Sequence, residues 1–259
     1  SSGFSSAIFV YSISFVVSFV FWNFLGGLST FVGQNRYASI ATIATAAIFV
    51  SIDAFVNYGQ RFALTLIPVV LAFGFAIEAI GQKTDWPFGK YAYSPSLGFA
   101  LLDVPIIVPF AWLMMSYPVL LVARKITTHW VFLIGGFGLM GWDLFIDPQM
   151  VAAKRWVWEI KGATIPFENT IPLSNAVGWL LSGMALMAIL HKVIPVERRK
   201  KETRTKHLDV FLIWTFFSSI IGNVFFFHTP GVALIGGLVF GAFLAPFLYR
   251  SILGIPEIN

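Results

Sequence analysis

Gly141-Trp-Asp-Leu-Phe-Ile-Asp-Pro-Gln-Met150 begins inside an apolar run and leaves it through two aspartates. Asp143 and Asp147 are four residues apart, so on a helix they share a face. Pro148 then reads as the end of regular hydrogen bonding. Lys154-Arg-Trp-Val-Trp-Glu159, Ile165-Pro-Phe-Glu-Asn169 and Asn175 follow. The chain has only 12 acidic residues, and Asp143, Asp147, Glu159 and Glu168 all fall here. Carboxyls gathered at the mouth of an apolar helix point to a membrane bundle with a polar site at one end.

The composition agrees. Of 259 residues, 58% are hydrophobic and 11% charged, against about 25% charged in a soluble domain. Cysteine is absent, which excludes disulfides, Cys-ligated metals and thiol nucleophiles. The net charge of +5 is no nucleic-acid signature, because the basic residues concentrate in one loop between apolar spans. The 28 Phe and 9 Trp read first as lipid-facing bulk and interfacial belts, and second as the walls of a channel for a long apolar molecule. The first apolar run is too long and too aromatic for a signal-peptide core, so it reads as a true span.

A hydrocarbon core of ~30 Å takes about 20 apolar residues to cross. Runs near 6–27, 38–56, 62–80, 98–123, 129–147, 171–192, 208–228 and 231–250 meet this need. The fold class is therefore all-α, a polytopic transmembrane bundle of about eight spans, or seven if the Ala/Ser/Thr-rich second is not one. Residues 1–259 form a single integral membrane domain. The fourth run holds Pro105, Pro109 and Pro118 and should be kinked or broken. Gly237-Leu-Val-Phe-Gly241 is a close-contact face, read as packing within one chain. Residues 148–170 form an extramembrane or re-entrant loop, and 192–207 a basic cytoplasmic loop. Even-numbered loops and termini carry 11 Lys and Arg and odd-numbered loops six, which sum to the 17 of the chain. The positive-inside rule then places both termini in the cytoplasm of a cell-membrane protein.

By the same span count, the remaining polar groups meet at one membrane face. Glu78 ends the third span, and Asp85 and the aromatic run through Tyr91 and Tyr93 follow. Asp103 opens the fourth span, Asp143 and Asp147 close the fifth, and Trp156, Glu159 and Asn169 lie in the next loop. Asn175 opens the sixth span, and Asn223 and His228 close the seventh. The opposite face carries the positive loops and little else.

Carboxyls at membrane depth suggest function. Buried ones stay protonated and serve as general acids, while aromatic faces stabilise a cation. This suits protonation of an isoprenoid double bond followed by capture of the tertiary cation by water. Asp143 or Asp147 is the first choice of donor and Glu78 the next. A second carboxylate, or Asp85, would position the water. Trp142, Trp112, Tyr91 and Tyr93 would shape the pocket, with Asp103, Trp156, Glu159, Asn169 and Asn175 as further substrate contacts. For any one of these carboxyls, an anchor or helix cap is an equal reading. The four histidines are scattered, which weakens a di-iron centre, and no dinucleotide fingerprint or nucleophile elbow appears. No cofactor and no metal are expected. Two alternatives stay open. One is a prenyltransferase with Mg²⁺ on Asp143 and Asp147 and Lys154 and Arg155 on a diphosphate. The other is a non-catalytic membrane subunit that binds the isoprenoid unchanged.

Several runs also resemble a known family. They are Asp85-Trp-Pro-Phe-Gly-Lys-Tyr-Ala-Tyr93, Val104-Pro-Ile-Ile-Val-Pro-Phe-Ala-Trp-Leu-Met-Met-Ser-Tyr-Pro118, Trp142-Asp-Leu-Phe-Ile-Asp-Pro-Gln-Met150, Trp156-Val-Trp-Glu159 and Pro172-Leu-Ser-Asn-Ala-Val-Gly-Trp179. Together they are similar to the membrane carotenoid-biosynthesis family that includes the carotenoid 1,2-hydratases, across roughly residues 70–185. The resemblance implies cofactor-independent addition of water to the terminal double bond of an acyclic carotenoid, giving a tertiary alcohol. It implies a linear carotenoid and the lipid bilayer as partners, with other pathway enzymes or complex subunits beside them. The loop after Glu159 is longer than the family's usual link, and Asp85 stands where Gly is common.

Overall fold

The computed structural model describes residues 36–194 and 206–253. The expected span at 6–27 and most of the basic loop at 192–207 lie outside the described residues. Among the described residues, seven helices are long and apolar enough to cross a membrane, and the protein is a multi-pass membrane protein of the all-α class. They are α1 (Arg36–Tyr58), α2 (Gln60–Thr84), α3 (Ile107–Ile126), α4 (Val131–Ala152), α5 (Leu173–Val193), α6 (Lys206–Ile221, extended by a π-helical turn, Gly222–Phe226) and α7 (Pro230–Leu253). At 1.5 Å per residue, the 22 residues of α4 reach about 33 Å, enough for the bilayer core.

Two expectations about helix ends are corrected. The fourth span begins at Ile107 rather than near residue 98. Its first stretch is instead a hairpin of β2 (Ala100–Leu101) and β3 (Val104–Pro105). Leu102 and Asp103 form its two-residue turn, both at positive φ, 50° and 64°, as hairpins of this length require. Pro109 sits in the first turn of α3, where its missing N–H takes nothing from the helix; Pro118 alone lies deep inside. Pro148, in turn, does not stop α4, which runs on to Ala152.

α4 is the central element, packed against α5, α7 and α3. Its approach to α5 is backbone-close, since a Cβ on Gly183 would lie 3.0 Å from the Gly136 Cα. Small residues at such a crossing are the usual device in membranes. The Gly237–Gly241 face works within the chain as expected, with Ile220 and Phe216 of α6 beside it.

At one end of the bundle the loops form a thin layer of strands. β1 (Tyr91–Tyr93) pairs antiparallel with β4 (Trp156–Trp158), and β5 (Thr164–Ile165) pairs with β6 (Glu168–Pro172). The opposite end, expected to carry the positive loops and little else, holds a buried polar knot as well. Asp53, fully buried, accepts hydrogen bonds from the Asn57 amide at 2.9 Å and from the Tyr117 hydroxyl, joining α1 to α3. Arg124 there donates to the Ile194 carbonyl at 2.6 Å, beyond the last turn of α5.

Candidate active site

Glu78, one turn and a half before the end of α2, is 4% exposed. Its Oε2 accepts from the Tyr91 hydroxyl at 2.5 Å and the Tyr93 hydroxyl at 2.9 Å. Its Oε1 accepts from Trp112 Nε1 at 2.9 Å. Both tyrosines come from β1, where alternation turns residues 91 and 93 to one face and leaves Ala92 outward. Burial, reinforced by the Glu78 carboxylate, pushes both hydroxyls well above the ordinary tyrosine range. They therefore remain neutral donors at any working pH.

Facing Glu78 are Asp143 and Asp147, 2% and 3% exposed and one helical turn apart on α4. A single amide serves both. Asn175 Nδ2 donates to Asp143 Oδ2 at 3.1 Å and also to Asp147 Oδ2. Asn175 lies in the first turn of α5, brought to α4 by the glycine crossing below it.

These carboxyls line one cavity of about 120 Å³. Its remaining walls are mostly apolar or aromatic, with Ile107, Val108, Met114 and Met115 from α3, Phe88 and Trp179, and the strand residues Trp156 and Trp158, and Thr42, Gln149 and Ser219 add polar groups. Trp156 stands edge-on to Tyr93 at 5.8 Å, and Trp158 lies against Tyr91 at 5.9 Å. The indole nitrogens of Trp156 and Trp158 are buried, and neither reaches a partner in hydrogen-bonding geometry among the described residues. That of Trp156 lies towards Asp147.

Asp143, Asp147, Glu78, Tyr91, Tyr93, Trp112, Trp156 and Asn175 thus stand together as expected. Five others do not. Asp85 caps the end of α2 in a left-handed conformation and is exposed. Asp103 is an exposed turn residue of the β2–β3 hairpin. Glu159 is exposed and bridges Lys90 at 2.6 Å and Lys161 at 2.9 Å; those two cations hold its carboxyl down at about 2. Asn169 is exposed on β6. Trp142 is fully buried, but on the side of α4 that packs against Phe211 and Phe240. Residues 142 and 143 point apart because successive helical positions turn by about 100°.

Trp179 and Trp158 were not among the expected contacts. Each carries a period signal. Trp179 lies four residues after Asn175 on one helical face, and Trp158 lies two after Trp156 on one strand face.

A family model described as "carotenoid biosynthesis protein" matches residues 37–247. The chain belongs to the carotenoid biosynthesis protein family. The match spans α1 to α7 and every residue of the cavity. This family member is also similar to a bisanhydrobacterioruberin hydratase of Haloarcula japonica, 34% identical over 131 residues. That likeness covers 48% of this chain and 43% of the relative, so the chain spans less than half of the relative's length. No solved structure matches the chain.

Proposed function

We propose that this protein is a carotenoid hydratase, a hydro-lyase adding water across the terminal 1,2 double bond of an acyclic carotenoid without a cofactor. The observation that carries the reading is the carboxyl pair. Asp143 and Asp147 share one amide donor on the wall of an aromatic cavity inside a membrane bundle. Two carboxyls so close cannot both bear charge cheaply away from water, so the pair is built to share a proton. A relative named for hydration supports water as the second reactant.

The steps balance without an oxidant. An O–H of the aspartate pair breaks as its proton bonds to C2, and the π electrons of the double bond form that bond. C1 becomes a tertiary cation. Water oxygen bonds to C1, and a water proton passes to Glu78. Glu78 is placed to accept it, because it lines the same cavity and three donors hold its two oxygens in place. Trp156 and Trp158, which line the cavity, would flank the water and then the product hydroxyl. The cavity takes one end of the substrate, while the rest of the chain lies in apolar surroundings.

Expression in a lycopene-producing host tests the reading. The wild type is expected to yield hydroxylated carotenoid carrying one oxygen from labelled water. Asp143→Asn and Asp147→Asn should each lose about 10²–10⁴-fold in rate, the usual worth of a positioned proton donor. Full yield from both variants overturns the assignment. A Mg²⁺-dependent prenylated product would point to prenyl transfer, and unchanged pigment to a binding subunit.

A further inference from the structure

The reaction passes through a tertiary cation, and one wall of the cavity is suited to positive charge. Trp112 and Trp179 stack face to face, with centroids 4.2 Å apart and planes 14° from parallel. Trp112 is locked. It is 1% exposed, its Nε1 is held on Glu78, and Phe73 meets it edge-on at 5.9 Å. A Cβ on Gly74 would come within 2.9 Å of its ring, so that glycine is the room it occupies. Trp179 is backed by Phe88 at 6.0 Å. Both indoles and Glu78 line the cavity. Indole is the best of the aromatic faces for a cation, and here two lie beside the Glu78 carboxyl group.

We propose that Trp179, stacked on Trp112 beside Glu78, forms a cation subsite. It holds the charged end carbon of the substrate, and it takes an isoprenoid chain tipped with a tertiary ammonium in place of that carbon. An N-protonated dimethylamino end copies the shape and charge of a carbon bearing two methyl groups and a positive charge. The catalytic use of the subsite rests on the hydratase reading, whereas its preference for a cation is a binding property that stands apart from it. Trp179 is thereby a catalytic residue, acting on the cation rather than on the proton.

The test uses the full chain in lipid nanodiscs, with a radiolabelled polyprenyl dimethylamine and its neutral carbon isostere as probes. The wild type is expected to prefer the amine. Trp179→Leu should weaken amine binding about tenfold, leave the isostere unchanged, and lower kcat about tenfold with KM little altered. Trp179→Phe, which keeps a ring with a weaker face, should lose about threefold for the amine alone. It carries the test if the leucine variant fails to accumulate. Equal losses for both probes, or no loss for either, overturn the subsite. A wild type that hydrates carotenoid yet shows no preference for the amine also overturns it, with the hydratase reading intact. A wild type that prefers the amine through Trp179 but forms no alcohol keeps the subsite and removes the hydratase.

Discussion

At the scale of single residues, two glutamates of one chain show how surroundings decide a role. Glu78 directs its hydrogen bonds to Tyr91, Tyr93 and Trp112 inside the cavity. Glu159 directs its own to two exposed lysines outside it. Tyr91→Phe should therefore cost roughly 10–100-fold in rate, since a hydrogen bond to a charged group is worth about 1.5–3 kcal/mol. The alkaline limb of its pH profile should match the wild type, because burial keeps both tyrosine hydroxyls protonated above their ordinary range. Glu159→Gln should leave the rate within about twofold. Its carboxyl lies low, at about 2, so whatever its ion pairs add is present above the ordinary glutamate range. That contribution fades as pH falls towards about 2, and screening at an exposed site keeps it small. Rates from pH 5 to 10 on the three proteins check both statements. The sequence did not tell these glutamates apart, since the span count puts both at one membrane face. Residue type made Glu159 as good a candidate as Glu78, and likewise Trp142 as good as Trp179. Burial and side-chain direction separate them, and neither is written in composition.

At the scale of elements, the helices were readable because twenty apolar residues have one economical conformation in lipid. The strands were not. Tyr91–Tyr93 and Trp156–Trp158 are three residues each, too short to show a period, and they are joined across 62 intervening positions, from residue 94 to residue 155. The prolines misled for a related reason. Pro148 is tolerated inside α4 and Pro109 in the first turn of α3, since the effect of a proline depends on its place in the helix. The β1–β4 pair matters because it holds the two tyrosines on Glu78. Ala92 and Val157 are directly opposed and both exposed. Opposed Cα atoms in an antiparallel pair lie about 4.5–5.5 Å apart, within disulfide reach. A chain carrying Ala92→Cys and Val157→Cys should therefore oxidise to an intramolecular disulfide and keep its activity. The native chain has no cysteine to interfere. Mass spectrometry of the digested protein reads the bond directly, and its failure to form would break the strand pairing and the frame of the site.

At the scale of the whole molecule, the seven described helices alternate direction. The ends of α2 and α4 meet through β1 and β4, and those of α3 and α5 meet at the opposite end through Arg124. The convergence of polar groups therefore does follow the span count. Which end faces the cytoplasm turns on charge. The site end bears Arg36, Lys83, Lys90, Lys154, Arg155 and Lys161, matched in number by Arg61, Arg124, Lys125, Lys192, Lys206 and Arg250 at the other end. The run Arg198-Arg-Lys-Lys201 with Arg204 tips the balance, since short basic loops are retained in the cytoplasm. On that balance we propose that the cavity opens towards the extracytoplasmic side of the cell membrane, and that hydration takes place away from the cytoplasm. Asn169→Cys on exposed β6 and His129→Cys in the exposed link between α3 and α4 report on opposite ends of an otherwise cysteine-free chain. A membrane-impermeant maleimide added to intact cells should label position 169 and spare 129, and permeabilised cells should label both. Labelling of 129 alone in intact cells would invert the protein and place the aspartate pair, its proton supply and the water it adds on the cytoplasmic side.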